Sequence, residues 1–464
     1  MMNVIAPVKW ASRGDANQGG TAGHRPWDGA VASLREGWCV VGASGAKARP
    51  SVNEQMDVLK RGAAEVIEEG ELARKIERSL AQDRPLIVKL GVDPTAPDLH
   101  LGHAVVLRKA RQFQDLGHLF VLLIGDFTGR VGDPSGRNEA RPQLEPEVLE
   151  RNALTYLEQA KKILDDDPRR LRVDRNSRWL AGLRFADITR LASRFTVARM
   201  LERQDFAARY KAEVPIYLHE FFYPLMQGYD SVELKADVEL GGTEQKFNLL
   251  VARNIQRDFN LEPEVAFLMP VLEGTDGVQR MGKSRGNYIG LDEPPREMYG
   301  KTMSIPDSLI LRYFEVCTAS RDVKEVAAGL ESGRLHPRDA KMRLAREIVT
   351  LYHGPEAARA AEDEFVRVFS RGEVPEEMPE VVLAPDALRG MAGPVRLSRL
   401  IVAAGLAPSN SEARRLIAQG GVRFDGARLD DPECTVTPRD GVVVQVGRRR
   451  VARLRIAREP GGVH

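Results

Sequence analysis

Two histidines flank a glycine in Asp93-Pro-Thr-Ala-Pro-Asp-Leu-His-Leu-Gly-His103, a stretch that follows an apolar run and opens a helical pattern. A helix N-terminus offers unpaired backbone N–H groups and the positive end of the helix dipole, which together favour a phosphate. Gly102 has no side chain and lets a ligand approach the backbone between His100 and His103. Imidazole N–H groups aimed at a phosphate stabilise charge that grows during attack, and one lost donor of this kind typically costs on the order of 10²–10³ in rate. A second stretch, Arg280-Met-Gly-Lys-Ser-Arg-Gly-Asn287, sets three cations among small residues. Such a run is more often a solvated loop. A mobile basic loop can also hold the outer phosphates of a nucleotide as pyrophosphate leaves.

A third set lies on Glu220-Phe-Phe-Tyr-Pro-Leu-Met-Gln-Gly-Tyr-Asp230. Tyr223, Gln227 and Asp230 follow an i, i+4, i+7 spacing, which places all three on one helical face. A polar stripe among Phe221, Phe222, Leu225 and Met226 either faces solvent or lines a pocket. The elements that must position these groups read clearly near the start. Leu86–Val92 is an apolar strand broken by Asp93-Pro94, His103–Leu116 has apolar residues at helical intervals before Gly117, and Leu119–Ile124 is a second strand. Strand, helix, strand over so short a stretch predicts a parallel crossover in a Rossmann-like α/β sheet.

The chain has 464 residues, long enough for two or three domains. No apolar run reaches the ~20 residues that cross a bilayer. The first twenty residues lack the apolar core of a secretory signal. Cys39, Cys317 and Cys434 lie far apart, which predicts neither a disulfide framework nor a cysteine-rich metal site, and fits a cytoplasmic chain. Residues 1–53 are rich in Gly, Ala and Ser without a period and are expected to be a poorly ordered extension. A catalytic α/β domain is expected over 54–290, a helical domain over 291–371, an acidic Pro-broken linker over 372–394 and a small basic α+β module over 395–458. From Arg396 to Arg458 there are 13 Arg, no Lys and 6 Asp plus Glu, a net of +7 that leaves −5 for the rest of a chain whose total is +2. A basic module on a mildly acidic body points to a polyanion, with nucleic acid the first candidate.

Together the His-Leu-Gly-His and Met-Gly-Lys-Ser segments resemble the two signatures of class I aminoacyl-tRNA synthetases. The text from about Glu54 to Ile456 resembles the bacterial tyrosyl enzymes, in the subtype that reads Lys-Leu-Gly at the first strand. The resemblance implies a tyrosine–tRNA ligase that forms tyrosyl-adenylate from tyrosine and ATP, with Mg²⁺ accompanying the phosphates, and then loads tRNA. It implies catalytic roles for His100, His103, Arg280 and Lys283. Asp93, Gly102, Thr128, Gly241, Gly242, Glu244, Lys283 and Ser284 would bind ATP. Tyr223, Gln227 and Asp133 would receive the tyrosine ammonium, Gln245 would lie near its carboxyl, Asn176 would line the pocket, and Asp230 would accept from the phenol. Glu244 stands where the family usually has Asp, and Lys89 where many members have tyrosine, so Lys89 is left out of the site.

The C-terminal segment resembles an S4 RNA-binding module, with Ser411 as the expected N-cap of a helix presenting Arg414 and Arg415. Those two, with Arg423, Arg448, Arg449 and Arg450, would meet tRNA phosphates. By resemblance the family is homodimeric. The rival readings are a tryptophanyl-tRNA synthetase, which shares the chemistry, and an inactive paralogue that binds RNA.

Overall fold

The computed structural model describes residues 49–135, 145–320, 322–370, 378–383, 394–447 and 450–456. The expected N-terminal extension lies outside them except at its end, where Ser51 caps a helix over Val52–Lys60. Six strands form the larger sheet: β1 (Glu65–Ile67), β2 (Ile87–Val92), β3 (Leu119–Ile124), β4 (Leu171–Arg175), β5 (Val238–Gly242) and β6 (Val265–Met269). Their order is β1-β6-β5-β2-β3-β4. All neighbours run parallel except β1, which lies antiparallel on β6. The expected crossover is present, with the helix Leu101–Asp115 between β2 and β3, which pair from Ile87↔Leu119 to Val92↔Ile124. Strands covered on both faces read as continuous apolar runs, which is why Leu119–Ile124 was legible as a strand.

From β2 the chain steps to β3 on one side, while β5 lies on the other. The carboxyl ends of β2 and β5 therefore meet where the strand order reverses, the place where open parallel sheets hold ligands. Two helices lie across that place. Leu101–Asp115 starts just beyond β2, and Leu218–Leu234, which carries the polar stripe, packs against Lys246–Asp258 after β5.

After β6 the chain turns helical, with Pro295–Met303, Ile310–Cys317, Val323–Glu331, Pro337–His353 and Pro355–Phe365. A 3₁₀ turn at Asp307–Leu309 leads into Ile310–Cys317. Tyr313, Leu344 and Ile348 bury in the same apolar cluster as Val88 and Phe120 of the sheet. The helices expected as a separate domain from residue 291 thus share the core of the sheet.

A second core gathers Leu383, Leu397, Ile401, Ile417, Val444 and Leu454. Here β7 (Glu380–Leu383), β9 (Val422–Phe424), β10 (Ala427–Leu429), β12 (Val443–Val446) and β13 (Arg450–Ile456) form a sheet in the order β10-β9-β12-β13-β7, and β8 (Val395–Arg396) pairs with β11 (Thr435–Val436). Strand β7 falls inside the stretch expected to be a linker. It pairs in parallel with β13 from Glu380↔Arg453 to Leu383↔Ile456, and Leu383 is buried. Three apolar residues beside an acidic, Pro-rich run carry too weak a local signal; the partner strand, some 70 residues on, makes the strand. Ser409 caps the helix Asn410–Ala418 in place of the expected Ser411, accepting from the Glu412 N–H at 3.3 Å. Ser411 already lies within the helix, too late to reach that donor.

The helix Leu218–Leu234 is anchored at its start by a buried pair. Arg209 donates to both Glu220 oxygens, at 2.5 and 2.9 Å, and Glu220 also accepts from the Tyr217 N–H at 2.9 Å. Burial by itself would raise the Glu220 carboxyl, but these bonds hold it below the ordinary carboxylate range. A depressed carboxyl stabilises the fold above its unfolded pKa, so this contribution is complete at neutral pH and is lost as pH falls through the lowered value. Replacing Glu220 by Ala leaves a guanidinium buried without its partner and should cost about 3–5 kcal/mol in urea or thermal unfolding. A loss under about 1 kcal/mol would place the pair among the inconsequential ones.

Candidate active site

The two histidines stand at the N-terminus of the helix Leu101–Asp115. His100 is its N-cap, and the backbone N–H of His100 donates to Nδ1 of His103 at 3.3 Å. An imidazole that accepts at Nδ1 carries its proton on Nε2, so His103 keeps a donor free for a ligand. The rings lie 4.0 Å apart. Burial, then His103 and Arg280, push His100 down to about 2, and burial takes His103 to about 4, so both are neutral at physiological pH. They can act as hydrogen-bond donors and not as cations. The Nδ1 of His100 is buried without a protein partner, a polar atom oriented for something the chain does not supply. A Cβ on Gly102 would sit 3.0 Å from the His100 ring, so glycine is what leaves that ring its place.

The basic loop is joined to this turn by backbone. Leu101 N–H donates to the Ile289 carbonyl and Leu291 N–H to the Leu99 carbonyl, both at 3.0 Å. Lys283 forms an ion pair with Asp98, which lies just ahead of His100 in the same turn. Arg280 is half-buried and close enough to His100 and Glu244 to act on both electrostatically. Ser284 and Arg285 are exposed at the tip. The loop is organised from below by Asn287, which is buried, accepts from the Gly282 N–H at 2.9 Å and donates to Asp276 at 2.6 Å.

A chain of hydrogen bonds leads inward from the end of β2. Asp93, at the end of β2, accepts from Thr128 Oγ1 at 2.7 Å and from the Tyr223 hydroxyl at 3.0 Å. Asn176 donates to Thr128 Oγ1 at 3.0 Å and to Asp230 Oδ2 at 3.2 Å, while Trp179 Nε1 donates to Asp230 Oδ1 at 2.7 Å. A Cβ on Gly125 would clash with both Asp93 and Thr128, so the close approach of the first two groups requires glycine there. Asp230 is only 3% exposed. Burial pushes its carboxyl up to about 7, against the opposing pull of Lys89, Trp179 and Asn176.

A second chain begins at Asp133, which accepts from Gln245 Nε2 at 2.7 Å and from the Ser135 N–H at 2.9 Å. Asn248 Nδ2 donates to Gln245 Oε1 and to Gln227 Oε1, each at 3.0 Å, and Gln227 Nε2 donates to Glu239 at 2.9 Å. Arg203, itself buried, donates to Asn248 at 3.0 Å and to Ser135 at 2.5 Å. Gly241 and Gly242 close β5 beside this chain, and the Glu244 carboxylate folds back over Gly242.

The stripe of Tyr223, Gln227 and Asp230 is therefore turned inward: Tyr223 and Asp230 are buried and Gln227 is half-buried. The structure brings together Asp93, Thr128, Asn176, Tyr223 and Asp230 in one network, and Asp133, Gln227 and Gln245 in another. His100, His103, Gly102, Arg280 and Lys283 form the adjoining cluster. Trp179, Arg203, Asn248 and Asn287 escaped the sequence reading. Asn248 had a signal, since it follows Gln245 by three residues on one helix. Trp179 and Arg203 had none for these bonds: Asp230 lies 51 residues from Trp179 and Asn248 lies 45 from Arg203, which also meets Asp205 two residues on. In the C-terminal module Arg414 and Arg415 are exposed on the helix Asn410–Ala418, paired with Glu433 and Glu412 respectively. Arg423 is exposed on β9, and Arg450 donates to the Leu406 carbonyl at 2.7 Å. Arg448 and Arg449 lie outside the described residues.

Comparison with known proteins agrees with this layout. A family model described as "tRNA synthetases class I (W and Y)" matches residues 81–370, and one described as "S4 domain" matches 395–442. A tyrosine–tRNA ligase of Moorella thermoacetica is 58% identical over 411 residues, covering 88% of this chain and 97% of that protein. A tyrosine–tRNA ligase of Thermotoga maritima is 51% identical over 403 residues, covering 86% and 97%. The crystal structure of tyrosyl-tRNA synthetase from Archaeoglobus fulgidus complexed with L-tyrosine superposes with a TM-score of 0.55 at 25% identity, covering 67% of this chain and 99% of that one. The chain belongs to the class I tRNA synthetases of the tryptophan and tyrosine group, with an S4 domain at its C-terminal end.

Proposed function

We propose that the chain is a tyrosine–tRNA ligase, in keeping with the names of its relatives and with the chemistry of its crevice. The observation that carries the reading is the grouping at the carboxyl ends of β2 and β5 of neutral histidines, a basic loop bonded to their turn and a buried network of acceptors. The tyrosine carboxylate attacks the α-phosphorus of ATP, the bond to the β-phosphate oxygen breaks, and pyrophosphate leaves. His100 and His103 donate to the α-phosphate as its charge grows, while Arg280 and Lys283 hold the departing phosphates and Ser284 caps the loop over them. Asp93, Thr128, Gly102 and the Gly241–Gly242 turn seat the nucleotide, with Glu244 reaching its ribose. A ribose hydroxyl at the 3′ end of tRNA then attacks the mixed anhydride, releasing AMP. No side chain becomes covalent; positioning and electrostatics supply the acceleration. Among the described residues no group of three or more His, Cys, Asp or Glu could hold a metal ion, so Mg²⁺ would travel with the phosphates and be held by them and by water.

Tyr223, Gln227 and Asp133 receive the ammonium, Gln245 and Asn176 close the pocket, and Asp230 takes the phenol. Phenylalanine brings no hydroxyl to Asp230, so the bond from the phenol to the carboxylate is lost and phenylalanine is disfavoured for that reason. Arg414, Arg415, Arg423 and the 448–450 cluster meet tRNA phosphates. The segment 185–218 exposes Phe185 (84%), Val197 (64%) and Leu218 (77%), an apolar surface suited to a second copy of the chain. A cytoplasmic setting accords with the free Cys317 and Cys434, and no described helix is long and apolar enough to cross a membrane.

ATP–pyrophosphate exchange with tyrosine, tryptophan and phenylalanine tests the reading: tyrosine alone should support it. Truncation after residue 377, which removes β7 with the rest of its domain, should spare exchange and abolish tRNA charging. Exchange with tryptophan, or with none of the three, would overturn the assignment. His103→Ala should slow adenylate formation by about 10²–10³ while tyrosine affinity stays within about twofold. Equal loss of both would make the ring a support of the fold. Because the Asp230 carboxyl lies near 7, tyrosine affinity should fall as pH drops through about 7, since the phenol donates to the ionised form. The histidines, neutral throughout that range, add nothing to this limb. Affinity that is flat from about pH 6 to 8 would remove Asp230 from phenol recognition.

A further inference from the structure

Lys89, on β2, is fully buried. Its ammonium has three protons and three acceptors: Ser231 Oγ at 2.6 Å, a Glu239 carboxylate oxygen at 2.9 Å and the Gln227 carbonyl at 3.1 Å. Lys89 and Glu239 are directly paired in the register of β2 and β5, so both side chains leave the sheet on the face covered by the helix Leu218–Leu234. Burial works against the ammonium, but Glu239, Glu264 and Asp230 outweigh it and hold Lys89 above its ordinary pKa. Burial, then repulsion from Glu239, pushes the Glu264 carboxyl well above its ordinary range. The ion pair beneath the Gln227 carboxamide is Lys89 with Glu239.

That pair determines which way the Gln227 carboxamide faces. A carboxylate only accepts, so Glu239 must receive Gln227 Nε2, as it does at 2.9 Å. Gln227 Oε1 is then turned the other way, where Asn248 donates at 3.0 Å and one lone pair remains. A substrate ammonium needs that oxygen; a flipped amide would present N–H groups to a cation. We infer that Lys89, through its ion pair with Glu239 and its bond to the Gln227 backbone, is a positioning residue that fixes the Gln227 carboxamide in the orientation that receives the amino group of tyrosine. The inference rests on the proposed function and deepens it.

Without Lys89 the Glu239 carboxylate is buried with no cation beside it and is no longer held in place beneath Gln227. The amide then loses its fixed direction. Lys89→Met, close in volume and uncharged, should raise the tyrosine KM in pyrophosphate exchange about 10- to 100-fold, the scale of one misdirected bond to a charged group. The ATP KM and the kcat at saturating tyrosine should stay within about threefold, because the phosphate turn lies outside this chain of bonds. The double variant Lys89→Met/Glu239→Gln removes both buried charges at constant volume and covers the case in which the single variant fails to fold. The carboxamide it introduces on β5 can donate or accept, so the tyrosine KM should still be raised. A tyrosine KM equal to that of the unsubstituted chain in either folded variant, or a fall in kcat with that KM unchanged, overturns the inference. Tyrosine-dependent exchange missing from the unsubstituted chain overturns the proposed function as well.

Discussion

Four carboxylates, Asp230 on the helix Leu218–Leu234 and Asp93, Asp133 and Glu239 beside it, must each find donors in a place nearly closed to water. An unpaired buried charge costs several kcal/mol, so the fold cannot leave them loose. Every one is met by a side chain from a different element: Thr128 and Tyr223 for Asp93, Gln245 for Asp133, Trp179 and Asn176 for Asp230, Lys89 and Gln227 for Glu239. Satisfying them ties the strands, the loop after β3 and the pocket helix into one rigid acceptor wall.

The basic loop lies beside this wall. Its cations stand above the buried Asn287, which bonds Gly282 and Asp276, with Ser284 and Arg285 exposed at the tip. Backbone bonds between residues 99–101 and 289–291 join the loop to the turn that carries the histidines. Asp98, paired with Lys283, occupies the cation before any triphosphate does.

Burial also separates the roles of the titrating groups. It lowers His100 and His103 far enough to make them permanent neutral donors, and it raises Asp230 into the physiological range. One effect, removal of water, thus makes two side chains insensitive to pH and one sensitive. Lys89 keeps its charge in the same interior only because carboxylates surround it.

The local text determined a good deal. The apolar run of β3, the helical spacing after His103 and the i, i+4, i+7 stripe are short-range patterns, and secondary structure follows short-range sterics and burial. The parallel sheet, the phosphate turn and the polar face could be read for that reason. Strand β7 could not, because its three apolar residues become a strand only beside β13. Nor could Trp179, Arg203 or the partnership of Lys89 with Glu239, for each depends on a contact between elements far apart in the chain. Which face of the stripe was buried, which way Gln227 turned, and which carboxylate met which donor were decided by tertiary packing, since hydrogen bonds in a closed interior are assigned by what the fold brings within about 3 Å.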